Sequence, residues 1–519
     1  MEKYFLDIYS LPEINYQEKI GIGFPLELEE FNCIVEELYR LFTSYDSDKE
    51  MLKVIRIAKA TLIGNISNFI RLSIVNRRLK DKFEIRYTTK EEFNTLAGER
   101  NMGQGYIADF FAKNSMPMIQ PFLKGYWYDK KKEYIKKLLS TFPEKNNVVI
   151  FNGNKWVEDY LKEQGINYTK LYNTFFWKMS EDPNIVKKTK ETQKVNNIIE
   201  DLHTLLSKKF EIVNKIEEEK LFKILQKILK QTYTDYINCK NYIETKNVFF
   251  NEIYSGTCGS YFTRIVFEVL KEKGVKTNAF MHSGAISHIN YTFDPRLYIE
   301  YEIPDNFFLF NSNDIPIIQK RLDTYNLSTK LNSMNIKVKK IDSEFRSFDA
   351  KNIKNIIYMA TTTPGGFQFF GVDDDMRKVC YENRLFEFLE KSGYKVLYKT
   401  HPKGVRQNYN LLKAKFKNLK IVENKTVDEV INDDNDIFIF KMVDSTAFNE
   451  VMSTDKPAIV ISENQEELLS SEAKESLKNR VSFVDCHYEN GLAVINENQL
   501  KEALNRKYTM DFEFANRFQ

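Results

Sequence analysis

Cysteine is scarce and scattered. The five residues, Cys33, Cys239, Cys258, Cys380 and Cys486, are odd in number and form no C-x-x-C pair. Neither a disulfide framework nor a zinc site follows. The five histidines include no H-E-x-x-H, which removes the usual helical metal pair, so no metal and no cofactor is expected. No apolar stretch reaches the ~20 residues of a membrane span. Acidic residues interrupt the opening MEKYFLDIYSLPE where a leader peptide would run apolar. The expectation is a soluble, cytoplasmic protein. Glycine (19) and proline (12) are too few for a collagen-like or low-complexity chain. A net charge of +3, from 76 basic against 73 acidic residues, is too balanced for a nucleic-acid coat.

What is present is ample apolar material. With 519 residues, 42% of them hydrophobic, the chain can bury cores for two to four domains. The C-terminal third shows the clearest pattern. Apolar runs at Asn355–Ala360, Lys395–Tyr398, Lys420–Glu423, Asp436–Phe440 and Ala458–Ser462 read as strands. Helical stretches separate them: Asp375–Lys391, stopped by Gly393, then Leu411–Phe416, a short helix Val427–Ile431 capped by Thr426, and Ala447–Met452. Strands alternating with helices predict a doubly wound parallel sheet.

The middle third repeats the theme. Strands are expected at Asn147–Phe151, Ile166–Leu171, Phe249–Tyr254, Thr277–His282 and Phe307–Phe310, and helices at Trp156–Gln164 and Phe262–Lys273. Between them, the lysine-rich stretch Lys187–Lys230 reads as a solvated helical hairpin, with a binding arm as the alternative. Towards the N-terminus, Leu26–Tyr45 and Lys49–Leu79 look helical and Phe83–Tyr87 extended. The basic, aromatic stretch Phe122–Leu139 admits peripheral contact with an anionic membrane, or a solvated basic helix.

Ligands of open α/β sheets gather beyond the carboxyl ends of the strands. Three polar clusters fall there: Thr361–Gly366, Lys399–Lys403 and Asp444–Thr446. His401, between Lys399 and Lys403 and followed by Pro402, is placed to donate to a phosphate oxygen; a strand-capping histidine is the plainer alternative. Ser445 and Thr446 open a helix, where hydroxyls and free amides hold a phosphate, or where one of them simply caps. Glu450, one turn on, suits a ribose or plain solvent. Thr362, Thr363, Gly365 and Gly366 form a turn that a ligand can approach closely. No phosphate-loop or dinucleotide fingerprint accompanies them. Asp373-Asp-Asp375 reads as a helix cap, with a metal ligand as the alternative. In the preceding domain His282 or His288 is a candidate for touching substrate across a cleft, and Glu99 offers a carboxylate beside Arg100.

From Lys395 to Ser462 the sequence runs V-L-Y-K-T-H-P, D-I-F-I-F, D-S-T-A-F-N-E-V and K-P-A-I-V-I. This resembles the nucleotide-binding half of GT-B glycosyltransferases of surface-polysaccharide synthesis. The nearest are those using CMP-activated Kdo or sialic acid and the related CDP-glycerol-type transferases. Upstream, Phe262–Gly284 is similar to that family's helix, G-I-P-T and Q-H-G segment, with Met281 for Gln and Ser283 inserted before Gly284. The resemblance covers about Val248 to Leu504. It implies two Rossmann-like domains facing a cleft: 1–345 on the acceptor side, with inserted helices at about 187–245, then 346–507 for the nucleotide sugar, and a tail at 508–519. It implies a CMP-activated donor, a glycan or glycolipid acceptor and metal-independent transfer. Lys399, His401, Ser445 and Thr446 would hold the donor phosphate and Glu450 the nucleotide's sugar. A CDP-alditol phosphotransferase and a catalytically silent nucleotide- or glycan-binding protein are the alternatives.

Overall fold

A computed structural model describes residues 2–5, 21–22, 28–79, 83–86, 147–171, 192–212, 214–245, 250–281, 288–290, 293–334, 346–353, 355–361, 375–401, 412, 415–423, 425–427, 429–431, 436–463, 465–489 and 492–518. Its frame is two sheets in tandem, parallel throughout except where β16 and β17 pair antiparallel, the α/β ground plan expected of a GT-B arrangement.

The N-terminal half begins with strands β1 (Glu2–Phe5), β2 (Gly21–Ile22) and β3 (Phe83–Arg86), which pair in parallel beside helices α1 (Leu28–Ser44) and α2 (Lys49–Leu79). The first large sheet has β4 (Val148–Phe151), β5 (Thr169–Leu171), β6 (Glu252–Ser255), β7 (Lys276–Phe280), β8 (Asn306–Leu309) and β9 (Lys330–Ser333) in the order β5-β4-β6-β7-β8-β9. Its helices are α3 (Lys155–Glu163), α4 (Thr192–Lys209), α5 (Lys215–Thr245), α6 (Tyr261–Glu272) and α7 (Asp314–Thr324). Gly274, at φ +77, ends α6 where only a residue tolerant of left-handed backbone fits without strain.

One correction concerns the lysine-rich stretch. It is not a hairpin standing in solvent. Val195, Ile199, Leu202 and Leu206 of α4, with Leu221, Leu225 and Leu229 of α5, join Leu38, Phe42, Ile55, Leu62 and Ile66 of α1 and α2 in one core with the sheet. The lysines occupy the outer faces of amphipathic helices whose apolar stripes are buried. Two buried cations clamp this packing. Lys59 pairs with Glu302, and Arg264 donates to the carbonyls of Arg56, Ile57, Tyr298 and Ile299.

The C-terminal half starts with β10 (Arg346–Asp349). Its sheet contains β11 (Asn355–Met359), β12 (Lys395–Lys399), β13 (Leu419–Val422), β14 (Asp436–Phe440), β15 (Ala458–Ser462), β16 (Val481–Glu489) and β17 (Leu492–Ile495). Helix α8 (Asp375–Lys391) matches its expected bounds and ends at Gly393, φ +79. Then come α9 (Thr446–Met452), α10 (Gln465–Leu468), α11 (Ser471–Leu477), α12 (Glu497–Ala503), β18 (Lys507–Met510) and α13 (Glu513–Phe518). The period-two alternation sorts β11 cleanly. Ile356 and Tyr358 face α8 with Leu385 and Leu389, while Ile357 and Met359 face α9 with Phe448 and Val451. Residues 508–518 pack on the same domain: β18 pairs with β10, and Phe514 and Phe518 enter the α9-side core.

Another correction follows at residues 427–431. Val430 and Ile431 N–H groups return to the Val427 carbonyl, and Thr426 bonds Glu429 through both its N–H (2.6 Å) and its hydroxyl (3.0 Å). The capping signal is real, but it closes a single turn and not a helix. Leu411–Phe416, expected as a helix, lies partly outside the described residues.

Candidate functional site

The strand order β13-β12-β11-β14-β15-β16, counted in chain order within the sheet, is 3-2-1-4-5-6. Such a sheet opens a crevice at its topological switch, here between the carboxyl ends of β11 and β14. The helices following those two strands leave to opposite faces, because α8 lies on one side and α9 on the other. Thr361 follows β11, Lys399 ends β12 with His401 just beyond, and Asp444, Ser445 and Thr446 follow β14. All stand at one rim.

Three lysines are buried at this rim: Lys378, Lys399 and Lys441, at 2%, 6% and 5% exposure. Lys378, on α8, donates to the Thr361 carbonyl and lies 3.8 Å from the Glu382 carboxylate. Glu382, wholly buried, accepts from the Tyr358 and Tyr398 hydroxyls at 3.1 and 3.0 Å. Burial pushes its carboxyl pKa up, against the pull of Lys378. Lys441 reaches the Tyr488 hydroxyl at 3.3 Å and lies over the Tyr381 ring. Burial holds the Lys399 ammonium below the ordinary lysine range, partly offset by the charges of Glu450 and Glu429. Lys378 and Lys441 were missed from sequence: each sits in an ordinary helix or strand end, and only packing brings it to the rim.

Ser445 is the N-cap of α9, its hydroxyl accepting from the Phe448 N–H at 3.1 Å, so the capping alternative describes that oxygen. Its hydroxyl proton is still a donor. Thr446 and Glu450 are exposed; Lys399 senses the Glu450 charge, which puts β12 and α9 within electrostatic reach across the rim. Asp375 begins α8. Thr362, Thr363, Gly365, Gly366, Pro402, Lys403, His282, Glu99, Asp373, Asp374 and the stretch Phe122–Leu139 lie outside the described residues.

His288 faces no cleft. It is fully buried between the two halves, with Nε2 3.2 Å from the Val443 carbonyl and the ring edge-on to Phe514. A substrate role for it is corrected on burial alone.

At the first sheet's switch, between β4 and β6, the chain satisfies itself. Asn154 caps α3 and donates to the Gly256 carbonyl at 3.2 Å. Glu300 takes the Cys258 N–H at 2.9 Å and the Thr257 hydroxyl at 2.8 Å. Among the described residues no group of three or more His, Cys, Asp or Glu is placed to hold a metal, and no helix is long and apolar enough to cross a membrane.

No family model and no curated protein matches the chain. Among solved structures it is similar to the UDP-GlcNAc 2-epimerase of Methanocaldococcus jannaschii in complex with UDP-GlcNAc and UDP: 12% identity, 71% of this chain and 96% of that one, TM-score 0.38. An O. sativa protein in complex with UDP and deoxynivalenol-3-glucoside gives 11% identity over 72% and 92%, TM-score 0.37. A glycosyltransferase from Rickettsia africae gives 12% over 67% and 86%, TM-score 0.31. At scores this low the likenesses carry no assignment, and the reading of the site rests on the chain's own residues.

Proposed function

We propose that the chain is a GT-B-type glycosyltransferase whose nucleotide-activated donor lies against the carboxyl rim of the C-terminal sheet. One observation carries the reading: three lysines, Lys378, Lys399 and Lys441, are buried at the rim where a 3-2-1-4-5-6 sheet opens its crevice. Lysines at that floor would complement a phosphate-bearing ligand. Within this reading Lys399 and His401 hold the donor phosphate, Ser445 and Thr446 donate to it, and Glu450 meets the nucleotide's sugar. Asp444 leads into that turn. The K-T-H-P and D-S-T motifs favour a CMP-activated ulosonic acid as donor and a hydroxyl of a surface glycan or glycolipid as acceptor.

The chemistry balances simply. A base from the N-terminal domain, for which Glu99 and His282 are the candidates, takes the proton of the acceptor hydroxyl. Its oxygen bonds to the anomeric carbon as the bond from that carbon to the phosphate oxygen breaks. The electron pair departs with the nucleotide, whose new negative charge meets Lys399 and His401. Because lysines supply that positive charge, a chelator is expected to leave the rate unchanged.

The test is a donor panel of CMP-, CDP- and UDP-activated compounds, following nucleotide release and product mass. His401→Ala is expected to abolish turnover with an unaltered melting temperature. Undiminished transfer by that variant removes the reading. Transfer of an alditol phosphate replaces it with phosphotransfer, and binding without turnover across the panel replaces it with a silent nucleotide-binding protein.

A further inference from the structure

The two halves are joined by a short backbone strap directly behind the Asp444–Thr446 turn. Ile289 bridges Leu469 in antiparallel fashion. The Ser470 N–H donates to the His288 carbonyl at 2.9 Å, and the Asn290 N–H donates to the Leu468 carbonyl at 2.6 Å. Ile289, although it belongs to the N-terminal half, is buried in the α9-side core of the C-terminal half. Arg321, on α7, also donates to the Ile289 carbonyl at 2.7 Å, which ties the strap back to its own domain.

His288 projects from this strap. A carbonyl only accepts, so the ring proton lies on Nε2, bonded to Val443, and Nδ1 carries the lone pair. Nδ1 is buried and has no hydrogen-bond partner among the described residues. Burial holds the ring neutral, its pKa pushed down to about 4. Leaving a buried polar nitrogen unsatisfied costs free energy. An apolar side chain of similar size would fill the Phe514 and Phe518 contacts without that penalty. What it would lose is the grip on Val443, the residue preceding Asp444.

We infer that His288 is a positioning residue: by holding the Val443 carbonyl from the opposite domain, it sets the Asp444–Thr446 turn for its phosphate-bearing ligand. The affinity of the C-terminal site therefore depends on the docked N-terminal strap. The inference rests on the donor-site reading above, and it deepens it by making the site a product of both domains.

Full-length protein is titrated calorimetrically with CMP, CDP and UDP, well below the melting temperature of every variant. His288→Leu is expected to weaken the nucleotide that wild type binds by about tenfold, the scale of one lost hydrogen bond. His288→Gln, whose amide nitrogen reaches where Nε2 does, is expected to stay within about threefold of wild type. Wild-type affinity in the leucine variant overturns the positioning role. Equal losses in both variants also overturn it, since the ring would then matter only as filling. A wild-type protein that binds none of the nucleotides overturns the donor-site reading, and this inference with it.

If the leucine variant does not fold, hydrogen exchange on wild type decides. Coupling is reciprocal, so bound nucleotide must slow exchange at the Asn290 and Ser470 amides. Unchanged exchange there overturns the inference.

Discussion

The two sheets finish their carboxyl rims in opposite ways. At the N-terminal switch, Glu300 and Asn154 bond the turn residues between them, so the chain supplies its own anion to the Cys258 N–H and the Thr257 hydroxyl. At the C-terminal switch Lys378 lies beside the buried Glu382, Lys441 lies over the Tyr381 ring, and burial disfavours the Lys399 ammonium, partly offset by Glu450 and Glu429. A rim that answers its own donors is built for stability. A rim that buries lysines bears their desolvation at some expense of stability. Below the rims the halves converge on the same device, a buried arginine wrapped in backbone carbonyls: Arg264 in one, Arg480 in the other.

The largest expected effect tests that shared device. Arg480 donates to the carbonyls of Val451, Met452, Thr454, Lys456 and Asp511, joining the end of α9 to the C-terminal segment. Arg480→Leu and Arg264→Leu should each cost on the order of 3–5 kcal/mol, because several buried carbonyls lose their partner at once. Denaturant unfolding of the two variants measures this, and a loss under about 1 kcal/mol in either breaks the parallel.

The rims themselves should then respond with opposite signs. Glu300→Ala removes the acceptor of two bonds at the N-terminal rim and is expected to destabilise by roughly 2–3 kcal/mol. Lys399→Met removes a buried charge and is expected to raise the melting temperature while weakening nucleotide binding about tenfold to a hundredfold. If Lys399→Met also destabilises, the contrast between the rims is wrong.

The pH dependence sharpens the same point. Burial lowers the Lys399 pKa, so between that lowered value and the ordinary ~10.4 the unfolded chain binds more protons than the folded one. Stability contributed by this group rises with pH through that window and is already lost below it. Lys399→Met should flatten the slope, read from melting temperatures across the alkaline range. The smallest effect is expected at Ser445→Ala, about 1 kcal/mol from the lost cap bond to Phe448. A much larger drop in nucleotide affinity than in stability would show that the hydroxyl serves the ligand as well.

Much of this was legible beforehand. Helix α8 and strands β14 and β15 lie on their expected residues, because a helix stop at Gly393 and unbroken apolar runs are local signals. Thr361, Lys399, His401 and the Asp444–Thr446 turn, the described members of the three polar clusters, stand at strand ends. The Val427–Ile431 turn was overread, since a capping bond between Thr426 and Glu429 says where a turn starts and not how long it lasts. The α4–α5 region was misread because high lysine content hid apolar stripes that are buried only once α1 and α2 lie against them.

Periodicity and turn chemistry, then, were enough to establish two α/β halves and their strand ends, because strands and caps depend on residues within a few positions of one another. Strand order, and with it the crevice between β11 and β14, depends on pairings across eighty residues. So do the burial of Lys378, Lys399 and Lys441 and the reach of His288 into the opposite domain. Desolvation and long-range pairing have no local signature, which is why only the folded chain decided them.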